Sequence, residues 1–114
     1  MIKKKSEMVS RISENMRGGN GPIHFLDLMQ PEESLGKLRI ACEVTVEKGC
    51  SIGRHDHVEE AELYIITSGI ATVDDDGVMK KAFPGDIVYT GGGAFHAIAN
   101  DGDETLRFYA LVIN

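Results

Sequence analysis

Residues Gly49 to Gly69 read GCSIGRHDHVEEAELYIITSG. Glycine closes the stretch at both ends, His55 and His57 stand one residue apart, and Glu62 opens the apolar run Leu63–Thr67. A short apolar run of Ile, Tyr and Thr bounded by glycine reads as a strand. Strand side chains alternate with period two, so His55 and His57 point to the same face. A second stretch, Gly85 to Asn100, reads GDIVYTGGGAFHAIAN and sets His96 just beyond the Gly91–Gly93 turn. Three of the chain's four histidines thus fall in one spaced pattern with a carboxylate. Imidazole nitrogens and a carboxylate suit a divalent transition ion. The two stretches together predict a metal held inside an all-β fold.

The rest of the chain agrees with that fold class. Leu38, Ile40, Cys42, Val44 and Val46 alternate with Arg39, Glu43 and Thr45, the pattern of a half-buried strand. Ile23–Leu28 is apolar enough for an earlier strand, and residues 1–16 are polar enough for a short helix or an edge strand. Ile70–Val73 and Val78–Phe83 flank Asp74-Asp75-Asp76-Gly77, whose Asp-Gly step signals a hairpin. The three aspartates lack the spacing of a calcium loop and read as a solvated turn. Ile87–Thr90 is a short strand, another runs through His96 and Ile98, and Leu106–Ile113 reads as a last strand buried on both faces. Short strands at regular spacing with Gly-rich turns indicate a sandwich or barrel. The Arg17–Pro22 loop lacks the Gly-Lys-Ser/Thr of a phosphate cradle and reads as a plain turn.

Composition narrows the function. A chain of 114 residues fits one domain. The formal net charge of −6 argues against nucleic acid, whose binders carry a basic patch. Two cysteines, Cys42 and Cys50, are too few for a disulfide framework, and Cys42 shares parity with the apolar side of its strand. Met1-Ile2-Lys3-Lys4-Lys5 is followed by no apolar stretch, so export is not expected. No window is long and apolar enough for a membrane helix, and a cytoplasmic location is the expectation.

The two quoted stretches resemble the two motifs of the cupins, small β-barrel proteins of the jelly-roll type. The first motif runs glycine, five residues, His-x-His, three or four residues, Glu, six residues, glycine, and Gly49–Gly69 meets every fixed position. The second runs glycine, five residues, Pro-x-Gly, two residues, His, three residues, Asn. Gly91 stands where proline is usual, a departure that bears on the turn and not on the ligands. The resemblance implies a double-stranded β-helix, that is, a jelly-roll barrel, with a single domain over residues 1–114. An N-terminal extension would take residues 1–22 and the barrel about 37–113. It also implies a homodimer, paired through sheet edges or swapped N-terminal strands.

Metal ligands are expected at His55, His57, Glu62 and His96, holding one divalent ion per chain from among Mn, Fe, Ni, Zn and Cu. Glu62 is preferred to Glu59 and Glu60 because the apolar strand behind it can fix its position, and the family spacing selects it as well. Glu59 and Glu60 are then solvated loop charges. A closed zinc site built from the same residues is the competing reading, disfavoured because structural zinc sites favour cysteines. By parity, Tyr64 and Ile66 lie on the side of Glu62, and Ile98 on the side of His96, so these three are candidates to line a substrate cavity. Phe95 and the Gly91–Gly93 turn could shape its mouth. Arg54 has the opposite parity to His55, and no inward cation can be placed for a dicarboxylate such as oxalate. His24 lies outside both motifs and reads as a surface or core residue.

The expected function is a metal-dependent enzyme acting on a small oxygen-bearing organic molecule, of dioxygenase, decarboxylase or isomerase type. The alternative is a metal-dependent binding or sensing protein without turnover. An inward acid or base beside the metal would decide between them, and Tyr64 is the one candidate.

Overall fold

Period-two patterning from Leu38 to Val46 forms one nine-residue strand, and the other strands assemble around it. A computed structural model describes all 114 residues. The strands are β1 (Val9–Glu14), β2 (Pro22–Asp27), β3 (Leu38–Val46), β4 (Ser51–Asp56), β5 (Ala61–Ser68), β6 (Ala71–Asp75), β7 (Val78–Ala82), β8 (Ile87–Thr90), β9 (Phe95–Ala99) and β10 (Leu106–Ile113). Short 3₁₀ turns occupy Lys5–Glu7, Met16–Gly18 and Pro31–Ser34. Two antiparallel sheets result, a six-stranded one ordered β1-β2-β3-β10-β5-β8 and a four-stranded one ordered β4-β9-β6-β7. This is the all-β double-sheet architecture that the strand pattern predicts.

Inward-facing residues of both sheets make one core, with Val44, Ile66, Phe108, Val73 and Ile98 among its members. The hairpin between β6 and β7 turns at Asp76 and Gly77, both with positive φ (51° and 95°). Such a two-residue turn matches the strand twist, which is why Asp-Gly marks it in the sequence.

A bulge in β4 decides where the histidines point. Ile52 pairs with Ile98 and His55 with His96, so three steps along β4 answer two along β9. The extra residue shifts the parity, and Ile52, His55 and His57 all face inward as a result. Gly53 sits in the bulge against the 3₁₀ turn: a Cβ there would collide with the Arg17 carbonyl oxygen and lie 2.9 Å from the Gly19 nitrogen. The turn is fastened by Ser51 N donating to Asn20 O (2.8 Å) and Asn20 Nδ2 donating to Gly49 O (2.7 Å).

Two expectations need correction. β10 is buried on one face only: Leu106, Phe108, Ala110 and Val112 point into the core, while Arg107, Tyr109 and Ile113 are exposed. It is a central strand, but only one side of its sheet is covered. Asp74 is not a solvated turn charge. It is largely buried, accepts hydrogen bonds from the Arg54 guanidinium (2.6 Å) and the Gly77 amide (2.8 Å), and is held below the usual carboxylate range first by Arg54. The residues before 37 contribute strands β1 and β2 to the large sheet, and β1 pairs with β2 of its own chain.

Candidate metal centre

β4 carries His55, the turn after it His57, β5 carries Glu62 and β9 carries His96. The sheets bring one ligand atom from each within 4.8 Å of the others. His96 Nε2 lies 2.9 Å from His55 Nε2 and 3.2 Å from His57 Nε2. Glu62 Oε1 lies 2.9 Å from His96 Nε2, 3.0 Å from His57 Nε2 and 3.6 Å from His55 Nε2.

The second nitrogen of each ring fixes its state. His55 Nδ1 donates to the Gly53 carbonyl (2.9 Å), which can only accept. His57 Nδ1 donates to the Glu60 carboxylate (3.3 Å), and His96 Nδ1 faces the buried Thr90 hydroxyl at 2.9 Å. The carbonyl and the carboxylate place protons on Nδ1 of His55 and His57, and with the Thr90 hydroxyl accepting from His96 Nδ1 all three Nε2 atoms turn lone pairs toward one point. Glu62 Oε1 faces the same point and is buried without a hydrogen bond. Four acceptor atoms crowded together repel one another unless a cation sits among them. Ligands at roughly 2.1 Å from a shared ion stand ~3.0 Å apart at right angles and ~3.4 Å at tetrahedral angles, close to the observed spacings. The residues present therefore fit one divalent ion.

Burial would by itself raise the Glu62 carboxyl, but the three imidazoles crowded against it, which would donate to it and carry charge once protonated, bring it down to about 2. It is an anion at any ordinary pH, as a ligand must be. Burial pushes His96 below its usual value, which favours the neutral ring that can ligate.

The proposed cavity residues separate. Tyr64 stacks on the His96 ring (centroids 4.9 Å apart, 14° between planes) and lines a cavity of about 90 Å³ that also touches His55 and Glu62. Ile66 and Ile98 are fully buried in the core and do not line it. Phe95 lies under the Arg54 guanidinium, whose Cζ is 4.3 Å from its ring centre, and with Gly93 it lines an open pocket that reaches His55. His24 is exposed on β2, away from the site.

Four contributors escaped the sequence reading. Glu60 is not a solvated loop charge, because it holds His57 and receives two hydrogen bonds from Arg39 at 2.7 Å. Thr90 and the Gly53 carbonyl orient the other two rings, and no spacing rule marks either. Arg11 of β1 reaches the cavity wall. Only the pairing of β1 with β2 could reveal it.

The model of the family described as "Cupin domain" matches residues 42–113. The chain belongs to the cupin family. This cupin is similar to the oxalate-binding protein of Thermotoga maritima, 33% identical over 113 residues that cover 99% of this chain and 93% of that protein. A crystal structure from Thermotoga maritima, described as a predicted oxalate decarboxylase, matches it with a TM-score of 0.93 at 33% identity, over 99% of this chain and 98% of that one. A sugar phosphate isomerase of the cupin superfamily from Silicibacter pomeroyi shares the fold, with a TM-score of 0.79 at 21% identity, over 100% of this chain and 76% of that one.

Proposed function

We propose that this cupin binds a small carboxylate of about the size of oxalate, directly at one divalent transition ion held by His55, His57, Glu62 and His96. The observation that carries the reading is the cavity of about 90 Å³ bounded by His55 and Glu62, which opens the metal centre to a small molecule. It is far smaller than the roughly 300–1,000 Å³ of sites for drug-sized ligands. Four protein ligands leave two places on a six-coordinate ion, which would supply Lewis-acid attachment for carboxylate oxygens. The chain's own part is to shape the space: Phe25 and Phe108 wall it, and Tyr64 closes it beside His96. The Thermotoga protein's name points to the same ligand class.

Binding ranks ahead of turnover because the cavity lacks a free acid or base. Glu62 is committed to the ion, and burial raises the Tyr64 phenol well above its usual value, so it keeps its proton. Titration calorimetry of the manganese-loaded protein should show one oxalate bound per chain, lost on chelation, with no formate produced on incubation. Absence of binding to the loaded protein would contradict the proposal, and formate release would favour the enzymatic reading.

A second copy of the chain is the proposed partner. On the outer face of the large sheet Tyr89 pairs with Leu63 and Leu63 with Leu111, while Ile87 pairs with Ile65 and Ile65 with Tyr109. Ile87 and Tyr89 are 63% and 62% exposed, and a contiguous apolar patch of this kind marks an interaction surface. Light scattering at micromolar concentration should give twice the chain mass, and a monomer mass would refute it. No helix is long and apolar enough to cross a membrane. Cys42 and Cys50 are unpaired, and burial pushes the Cys42 thiol up to about 12, so it is unreactive at ordinary pH.

A further inference from the structure

We infer that Arg11 selects a dicarboxylate over a monocarboxylate in this cavity, by holding the carboxylate group that projects away from the metal ligands. The inference rests on the reading of the cavity as a small-carboxylate site.

β1 is an edge strand and mostly exposed, so nothing in its burial sets Arg11 apart. Its register does. Arg11 pairs with Phe25, and Phe25 pairs with Val44. Directly paired residues share a face, and Phe25 and Val44 are both buried in the core. Arg11 therefore sits on the inner face of the large sheet. Its Cζ lies 4.1 Å from the centre of the Phe25 ring, and Nε donates to Asp27 Oδ2 at 2.9 Å. These two contacts orient the guanidinium plane. The Asp27 bond uses Nε alone, and neither terminal nitrogen is hydrogen-bonded to the protein. The remaining edge is a two-pronged donor, the geometry that matches a carboxylate.

Arg11 is the one Lys or Arg on the cavity wall, whose polar members besides it are His55, Glu62 and Tyr64. Charge balance in that mostly apolar space separates the ligand classes. Glu62 brings one negative charge and a divalent ion two positive charges. A monocarboxylate already neutralises that sum, whereas a dicarboxylate leaves one negative charge over. A buried carboxylate without donors is costly, and although Asp27 already pairs with Arg11, the two free terminal nitrogens offer that second carboxylate charge-assisted hydrogen bonds. Asp27, which holds the arginine, is not part of the cavity wall.

The test uses the full chain loaded with manganese(II), titrated with oxalate and with glycolate. Glycolate offers an ion two oxygen donors but carries a single carboxylate. Arg11→Met should weaken oxalate about 10- to 100-fold, as loss of a charge-assisted hydrogen bond does, and change glycolate by less than about threefold. Manganese content should stay at the wild-type level. Arg11→Lys keeps the charge and loses the fork, so its oxalate-to-glycolate preference should fall by at least about fivefold. If the methionine variant does not fold, the lysine variant decides alone. Unchanged preference in the folded variants would overturn the role of Arg11 while leaving the carboxylate reading intact. Failure of the loaded wild-type protein to bind oxalate would overturn both.

Discussion

Stripping the ion with a chelator should lower the melting temperature by about 10 °C, and His57→Ala should lower it without a chelator. A ligand bound only to the folded state adds RT ln(1 + [L]/Kd), which is about 2.7 kcal/mol when the free ion exceeds Kd a hundredfold. For a chain of this length each kcal/mol moves the midpoint by roughly 4 °C. His57 lies 3.0 Å from Glu62 Oε1 and 3.2 Å from His96 Nε2, at the centre of the cluster. Losing a ligand should cost more than the 10- to 100-fold in affinity typical of losing a ligand's supporting partner. His24→Ala, on an exposed face of β2, should leave metal content unchanged. Acid acts in the same direction on the stripped protein. Burial places His96 below its ordinary value, so between those two values the unfolded chain binds more protons than the folded one. Stability therefore falls as pH drops through that window. Differential scanning fluorimetry with and without chelator, across pH, reads both effects; coincident curves would mean that the cluster binds no ion tightly.

Phe108→Ala should be the most damaging single change outside the ligand set, at about 3–5 kcal/mol. Phe108 is fully buried on β10, and its ring centre lies 4.6 Å from that of Tyr64, which in turn stacks on His96. Truncation leaves a void and also enlarges the ligand cavity, since Phe108 forms part of its wall. Against a typical total of about 5–15 kcal/mol, this loss is a large fraction of the stability. Denaturant unfolding should show the midpoint falling sharply while the folded variant still binds metal, because no ligand is altered. A midpoint within about 1 kcal/mol of wild type would show that the core closes around the gap.

The legible part of this protein was the part governed by period and spacing. Alternation along Leu38–Val46 and the Asp-Gly step at residues 76–77 write their structures locally, and each stands where the pattern puts it. The histidines and Glu62 were legible because two motifs fix their spacing, and the sheets bring them together. What parity could not give was anything beyond a bulge or across an unpredicted strand pair. Ile66 shares parity with Glu62 yet lies deeper in the core, because parity gives the face and not the depth along the barrel. Glu60 read as a loop charge because its partners, Arg39 and His57, come from distant parts of the chain. Arg11 was invisible for the same reason: its inward direction follows from pairing with Phe25, and residues 1–16 carry no apolar alternation to announce a strand. The last strand misled because Tyr109, Leu111 and Ile113 make its outer face mostly apolar without any layer covering it.

Anomalous diffraction from crystals of untagged, metal-replete protein locates the divalent ion proposed among His55, His57, Glu62 and His96. A single strong anomalous peak per chain is expected, within bonding distance of the three Nε2 atoms and Glu62 Oε1, with elemental analysis giving close to one Mn, Fe, Ni, Cu or Zn per chain. Crystals with no peak at that point, and the four side chains turned away from it, would mean that these residues hold no ion.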